Sequence, residues 1–281
     1  MDWKLEIGNW KFYVIYLLYA IFGLVPSVIW LLFYLRKDSH PEPNRMVIKI
    51  FLWGMLMGPL AILLELFVKW LINPTDLAGF IEILKSNSRN IYLFVSIVFV
   101  APVIEECVKY AVVRFKVLKN PEFDEPLDIM LYMIISALGF AAVENLLLIF
   151  QSPLPGFGQV ISLSALRFIS ATFLHALSSG LLGYWLAKSL REPAKKFQFL
   201  ARGFSLAIFF HASYNYLTWI ISDSETCLAP IGQICLTTLT AISMTFILLG
   251  LMAVAVSYNF SILKKLHSIC KICNCRPSFW S

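Results

Sequence analysis

Three glutamates and two histidines stand in the middle of long apolar stretches. They are Glu105, Glu106, Glu144, His175 and His211. A charged side chain at the centre of a membrane helix costs roughly 2.5–3.5 kcal/mol on insertion scales, so such groups must be neutral, paired or hydrated. Carboxylates facing imidazoles are also what proton-transfer chemistry requires. These five residues are therefore the candidate catalytic groups.

Lys109 can contact either member of the glutamate pair. It follows Glu105 by four residues and Glu106 by three, and side chains at both spacings share a helix face. A single Glu–Lys pair is typical of a structural ion pair, but a second glutamate leaves one carboxyl in excess, which suits a general base. The spacing does not determine which glutamate is the base.

Glu144 has no cation within one turn on its own helix, where it shares a face with Phe140. We expect its partner to come from another helix and to be a histidine; the alternative is a protonated carboxyl bonded to backbone. His211 shares a face with Asn215 in the same way. A lone histidine in a span is often only an interhelical hydrogen bond. Two of them, one with a nearby Asn, favour a functional site.

Other hydrolytic signatures are missing from the sequence, which has neither His-Glu-x-x-His nor Gly-x-Ser-x-Gly. Glu105, His175 and His211 are candidate ligands for Zn²⁺. We favour no cofactor, because no helix carries an i, i+4 histidine pair and Lys109 already supplies a positive charge. Serines near the histidines leave a serine nucleophile open: Ser178, Ser179 and Ser213.

The composition is that of a membrane protein. Of 281 residues, 59% are hydrophobic and only 14% are charged, and the mean hydropathy is +0.76. Soluble domains have about 25% charged residues, so a soluble globular enzyme, a disordered chain and a disulfide scaffold are excluded. The net charge of +6 fits basic cytoplasmic loops. The sequence has neither a Gly-rich phosphate-binding loop nor a basic stripe with interleaved aromatics, so nucleic acid is not expected as a partner.

We predict an all-α, polytopic helical bundle in which seven apolar runs span the lipid bilayer and an eighth span is left open. The seven runs are 12–35, 46–72, 91–114, 127–150, 160–188, 200–221 and 230–258. Loops rich in lysine and arginine alternate with loops that are poor in both, which predicts an outer N-terminus and a cytoplasmic C-terminus. Residues 1–281 are expected to form one integral domain, with the motifs in 91–221 and a cytoplasmic tail at 260–281.

Minor features lie between and after the spans. Residues 76–85 are expected to form a short interfacial helix that begins at a Thr75 or Asp76 cap. Cys227 and Cys235 have a spacing that leaves pairing open. The tail cysteines are read as reduced thiols, with palmitoylation or metal binding as alternatives: Cys270, Cys273 and Cys275.

The motifs taken together resemble the PrsW family of intramembrane proteases, which is related to type II CAAX prenyl proteases and bacteriocin-processing proteins. They occur in the family's order on four consecutive predicted spans within residues 102–215: Glu105-Glu106-x-x-Lys109, Phe140-x-x-x-Glu144, His175 and His211-x-x-x-Asn215. The CAAX branch usually has Arg and His where Lys109 and Glu144 stand, so the PrsW branch is favoured.

The resemblance implies an intramembrane endopeptidase of the glutamic or metallo type. Glu105 or Glu106 would activate water, and Glu144 or His175 would support it. His211 and Asn215 would polarise the cleaved carbonyl and stabilise the oxyanion, with Lys109 in support.

The implied partner is a membrane-anchored protein, with first-site cleavage of an anti-sigma factor as the example. The implied location is the cell membrane of a bacterium, crossed several times. The residues alone leave another class open, a scaffold or a proton-coupled transporter that has no hydrolytic activity. Transporters usually contain internal repeats, and the sequence has none that we detect.

Overall fold

The computed structural model describes residues 3–38, 40–72, 91–120, 123, 125–151, 156–223 and 236–266, and every regular element in them is helical. The α-helices are α1 (Trp3–Leu35), α2 (Asn44–Ile72), α3 (Ile91–Val95), α4 (Ala101–Lys116), α5 (Pro126–Gln151), α6 (Phe157–Ile169), α7 (Ala171–Arg191), α8 (Lys196–Asp223) and α9 (Leu236–Lys264). A π-helical segment, Ser96–Val100, joins α3 to α4, and a 3-10 turn, Pro193–Lys195, precedes α8.

Five stretches in the described residues are long and apolar enough to cross a membrane: Tyr13–Leu35, Asn44–Leu71, Pro126–Gln151, Phe157–Arg191 and Leu236–Lys264. They correspond to the first, second, fourth, fifth and seventh predicted spans. The third predicted span is divided into α3, the π segment and α4. The sixth is α8, whose hydropathy is lowered by polar residues such as His211 and Asn215. The helical membrane architecture is confirmed; the number of spans and the orientation stay predictions.

Helix α5 forms the centre of the bundle and is buried around its whole circumference between Leu127 and Ala142. An all-round apolar helix is expected in such a position. Glycines let α2 approach it closely, since a Cβ added at Gly139 would lie 2.1 Å from the Phe51 carbonyl oxygen. One added at Gly54 would lie 2.2 Å from the carbonyl oxygen of Ser136. Small residues therefore set the distance between these two helices.

Several boundaries differ from the prediction. The expected continuous span 160–188 is divided at Ser170, whose hydroxyl donates to the Leu166 carbonyl at 2.6 Å. Such back-bonding bends helices. Helix α9 extends to Lys264 into the expected tail, because Phe260 and Leu263 are buried. The expected interfacial helix 76–85, the Cys227–Cys235 pair and the tail cysteines lie outside the described residues, and the single domain stays a prediction.

Candidate active site

The predicted catalytic residues meet in one cluster, although they come from separate helices. Helix α4 contributes Glu105 and Glu106, α5 contributes Glu144, α7 contributes His175 and α8 contributes His211. The two imidazole rings meet edge to face with their centroids 5.0 Å apart. Helix α4 is amphipathic, which matches its role of carrying charged groups into the bundle on one side only.

Lys109 is the hub of this cluster and is 0% exposed. Its ammonium donates to Glu105 Oε2 at 3.3 Å, to Glu106 Oε1 at 3.0 Å and to His175 Nδ1 at 2.8 Å. The prediction that Lys109 can contact either glutamate is confirmed, and in the structure it contacts both. Because an ammonium has no acceptor, His175 Nδ1 must accept, and the ring proton is then on Nε2. This nitrogen donates to Glu144 Oε2 at 2.8 Å.

Glu106 is the most completely paired carboxylate. It is 0% exposed, and its Oε1 accepts from Lys109 and also from His211 Nδ1 at 3.0 Å. Ser178 and Ser179 donate to its two oxygens at 3.1 and 2.8 Å. We call these five residues the deep side of the site. The serines were considered as nucleophiles from the sequence; in the structure they are partners of Glu106.

The spacing of these serines from His175 could have indicated that they belong to the site. Ser178 and Ser179 follow His175 by three and four residues, so they share its helix face. The third candidate serine, Ser213, donates to the Phe209 carbonyl of its own helix at 2.7 Å. Among the described residues Ser213 therefore bonds to its own helix and not to the cluster.

Glu144 has the predicted histidine partner from another helix, which confirms that expectation. The structure adds a second partner that the sequence did not predict. Arg167 Nη2 donates to Glu144 Oε2 at 2.7 Å. Arg167 also donates through Nε to Asn145 Oδ1, and Asn145 Nδ2 donates to Thr172 Oγ1 at 3.1 Å. The side chain of Glu144 is 36% exposed, against 11% for Glu105. We call Glu144 and Arg167 the open side.

Asn215 is not part of the cluster in this structure. Its Nδ2 donates to the Ile97 carbonyl in the π segment at 2.9 Å. The π pattern is visible in the bond from the Ala101 N–H to the Ser96 carbonyl. Continued by one residue, it would pair the Ile97 carbonyl with residue 102, which is a proline and has no N–H. Asn215 therefore supplies the donor that Pro102 lacks.

The arrangement fits a divalent cation such as Zn²⁺. One ligand atom from each of Glu105, His175 and His211 lies within 4.8 Å of the others. Glu105 Oε2 is 3.8 Å from His175 Nδ1 and 3.7 Å from His211 Nε2. The remaining nitrogen of each ring bonds to a carboxylate, Glu144 or Glu106, which is the usual outer partner of a metal-ligating histidine. The ligand types are those that Zn²⁺ takes at catalytic sites.

Comparison with known proteins identifies the family to which the chain is similar. Residues 42–255 match the family model described as PrsW family intramembrane metalloprotease. Protease PrsW of Geobacillus kaustophilus is 30% identical over 196 residues, 69% of this chain and 77% of the relative. Protease PrsW of Bacillus subtilis is 23% identical over 207 residues, 72% of this chain and 83% of the relative. No solved structure matches the chain.

Proposed function

Because this chain belongs to the PrsW family of intramembrane proteases, we propose that it hydrolyses a peptide bond of a membrane-anchored protein with the help of a divalent cation. That the chain is a protease and that it is an integral multi-pass membrane protein follow from the family. The observation that carries the finer proposal is the convergence of Glu105, His175 and His211. The sequence favoured a metal-free mechanism because no helix has an i, i+4 histidine pair, but ligands from three helices make that pair unnecessary.

In this proposal Glu105, His175 and His211 hold the cation. When bound, such an ion polarises a carbonyl and makes water acidic enough to ionise near neutral pH. Glu106 fixes the ring of His211, and Glu144 fixes the ring of His175. Lys109 donates to His175 Nδ1 in the structure, so the ammonium and a cation compete for this nitrogen.

Glu144 is the proposed proton carrier. It is the most exposed of the three site carboxylates, and only its Oε2 is engaged, by His175 and Arg167. The oxygen of water forms a bond to the carbonyl carbon while its proton passes to Glu144. The same proton then moves to the amide nitrogen as the C–N bond breaks, which leaves a carboxylic acid and an amine.

The proposed substrate is a single-span or otherwise membrane-anchored protein, because Glu144 and His175 lie on helices that are long and apolar enough to cross a membrane. A membrane-bound anti-sigma factor is the example that the family resemblance suggests. The oxyanion role that the sequence suggested for Asn215 requires its amide to leave Ile97, so we assign Asn215 to positioning the π segment.

The test compares the purified parent protein with Glu105→Gln, and with Glu192→Gln as a matched surface control. Each is reconstituted with single-span substrates, and bound metal is measured by mass spectrometry. The parent and the control should cleave, a chelator should abolish cleavage, and Zn²⁺ should restore it. Glu105→Gln should lose both cleavage and bound metal.

Two results would contradict the proposal. Cleavage that resists the chelator in metal-free protein would refute the ligand assignment and favour a glutamic mechanism. Folded parent protein that cleaves nothing in the panel would favour the scaffold or transporter alternative.

A further inference from the structure

One ionisable residue near the site has no role in the mechanism above. Glu65 lies within α2, about two turns before that helix ends at Ile72. It is half-buried, and none of the described residues gives it a hydrogen bond or an ion pair. A carboxyl at such a depth is unfavourable unless it is neutral, hydrated or paired with something else. Glu65 therefore requires an explanation.

The face of α2 that carries Glu65 is turned toward the site. A Cβ added at Gly58 would lie 3.0 Å from a methyl of Val143, the residue before Glu144. Ala61 is 1% exposed and packs with Phe140, which shares a face with Glu144. Glu65 follows Ala61 by one turn on this face, and helical side chains tilt toward the N-terminus. Its carboxyl is thereby directed back toward the level of Ala61.

The packing of α2 against α4 leads to the same position. The Lys116 ammonium lies 4.0 Å from the centroid of the Trp53 ring. Further along, Ala61 packs with Val108, so the two helices run antiparallel. The same register, continued by one turn of each helix, brings Glu65 to the level of Ile104, which immediately precedes Glu105. Consistent with this, the charges of Glu105 and Glu144 act on the Glu65 carboxyl, as does that of Lys69 on the same helix.

Apart from Lys69, the accessible charges that the described residues place around this opening are negative. Lys109 is fully buried with all three donors engaged, and the side chain of Arg167 is only 12% exposed and bonded to Glu144. Lys69 stands one turn further from the site on α2. A peptide bound beside Glu105 on this side therefore lies closer to the carboxyls of Glu65 and Glu144 than to Lys69.

We propose that Glu65 is a specificity-determining residue that binds a cationic side chain of the substrate close to the cleaved bond. This inference rests on the proposed function for the location of the site, but not on the metal or on the proton carrier. It predicts that lysine or arginine beside the cleavage point favours binding, and that glutamate or aspartate there opposes it.

The experiment measures peptide binding to the Glu105→Gln variant, which is expected to lose cleavage and should hold substrate without cutting it. Three fluorescent single-span peptides are identical except for Lys, Gln or Glu at one juxtamembrane position, and that position is moved along the peptide one residue at a time. At the recognised position the Lys peptide should bind about tenfold more tightly than the Glu peptide. Adding Glu65→Gln should reduce the ratio below about twofold, and Glu65→Lys should reverse it. Adding Glu192→Gln should leave it unchanged.

The outcomes separate this inference from the proposed function. Equal binding of the Lys and Glu peptides at every position, or a preference that survives Glu65→Gln, would overturn the role of Glu65. Selective binding by a parent protein that hydrolyses none of the peptides would refute the proposed hydrolysis and leave the role of Glu65 standing.

Discussion

The deep and open sides of the site differ in how completely their charges are matched. On the deep side, Glu106 accepts from Lys109, His211 and two serines and has no exposed surface. On the open side, Glu144 has two partners and is 36% exposed. Adjacent carboxyls of one site thus have different tasks. In the proposed function the deep side fixes the geometry, and the open side is where water and peptide arrive.

This difference has an energetic consequence. Removing one partner from a buried ion pair typically costs 3–5 kcal/mol, because the other charge is left buried and unpaired. Exposed ion pairs contribute about 0–1 kcal/mol. Substitutions on the deep side should therefore reduce stability as well as activity, whereas those on the open side should reduce mainly activity.

The largest effect is expected for Lys109→Met. It leaves Glu105, Glu106 and His175 without their common donor, so the free energy of unfolding should fall by about 3–5 kcal/mol. Denaturant or thermal unfolding in detergent measures this change. Lys195→Met is the matched control, because Lys195 forms an exposed pair with Glu192 at 3.0 Å, and its change should stay within about 1 kcal/mol. A similar loss in both variants would remove the distinction between buried and exposed pairs.

A paired comparison of Glu106→Gln with Glu144→Gln separates the two sides directly. Glu106→Gln places an amide N–H₂ opposite existing donors, so the free energy of unfolding should fall by about 1–3 kcal/mol. Glu144→Gln keeps an acceptor oxygen for His175 and Arg167, so it should lower the free energy of unfolding less than Glu106→Gln does. Its kcat should fall by about 10²-fold or more, as is usual for the loss of a general base. Unfolding curves and single-turnover cleavage give the two quantities. A greater loss of stability in Glu144→Gln would invert the assignment of the sides.

The smallest effect is expected for Asn215→Ala. It removes the donor to the Ile97 carbonyl, so the free energy of unfolding should fall by about 1 kcal/mol. Amide exchange should rise in the π segment, Ser96–Val100. Ser213→Ala on the same helix is the control, since Ser213 bonds only within α8. Equal exchange in the two variants would show that Asn215 does not stabilise this segment.

Contacts within one helix were predictable, and contacts between helices were predictable only by residue type. The spacing in α4 correctly predicted that Lys109 can contact either glutamate, and the structure shows contact with both. The lack of a cation nearby on α5 correctly predicted that Glu144 pairs with a histidine of another helix. The sequence missed Arg167, because its contact with Glu144 depends on the break at Ser170 that separates α6 from α7. It also missed Glu65, whose place near Glu105 depends on the register between α2 and α4.

The sequence by itself determined that the chain is a helical membrane protein and which residue types had to find partners in it. Hydrophobic length and helical periodicity decide these properties, and both are local. The tertiary structure alone decided that Glu106 faces the serines while the neighbouring Glu105 faces both histidines. Adjacent residues point about 100° apart on a helix, but the group each one meets depends on the depth and rotation of other helices. Close contacts such as Gly54 against Ser136 and Gly139 against Phe51 set those positions.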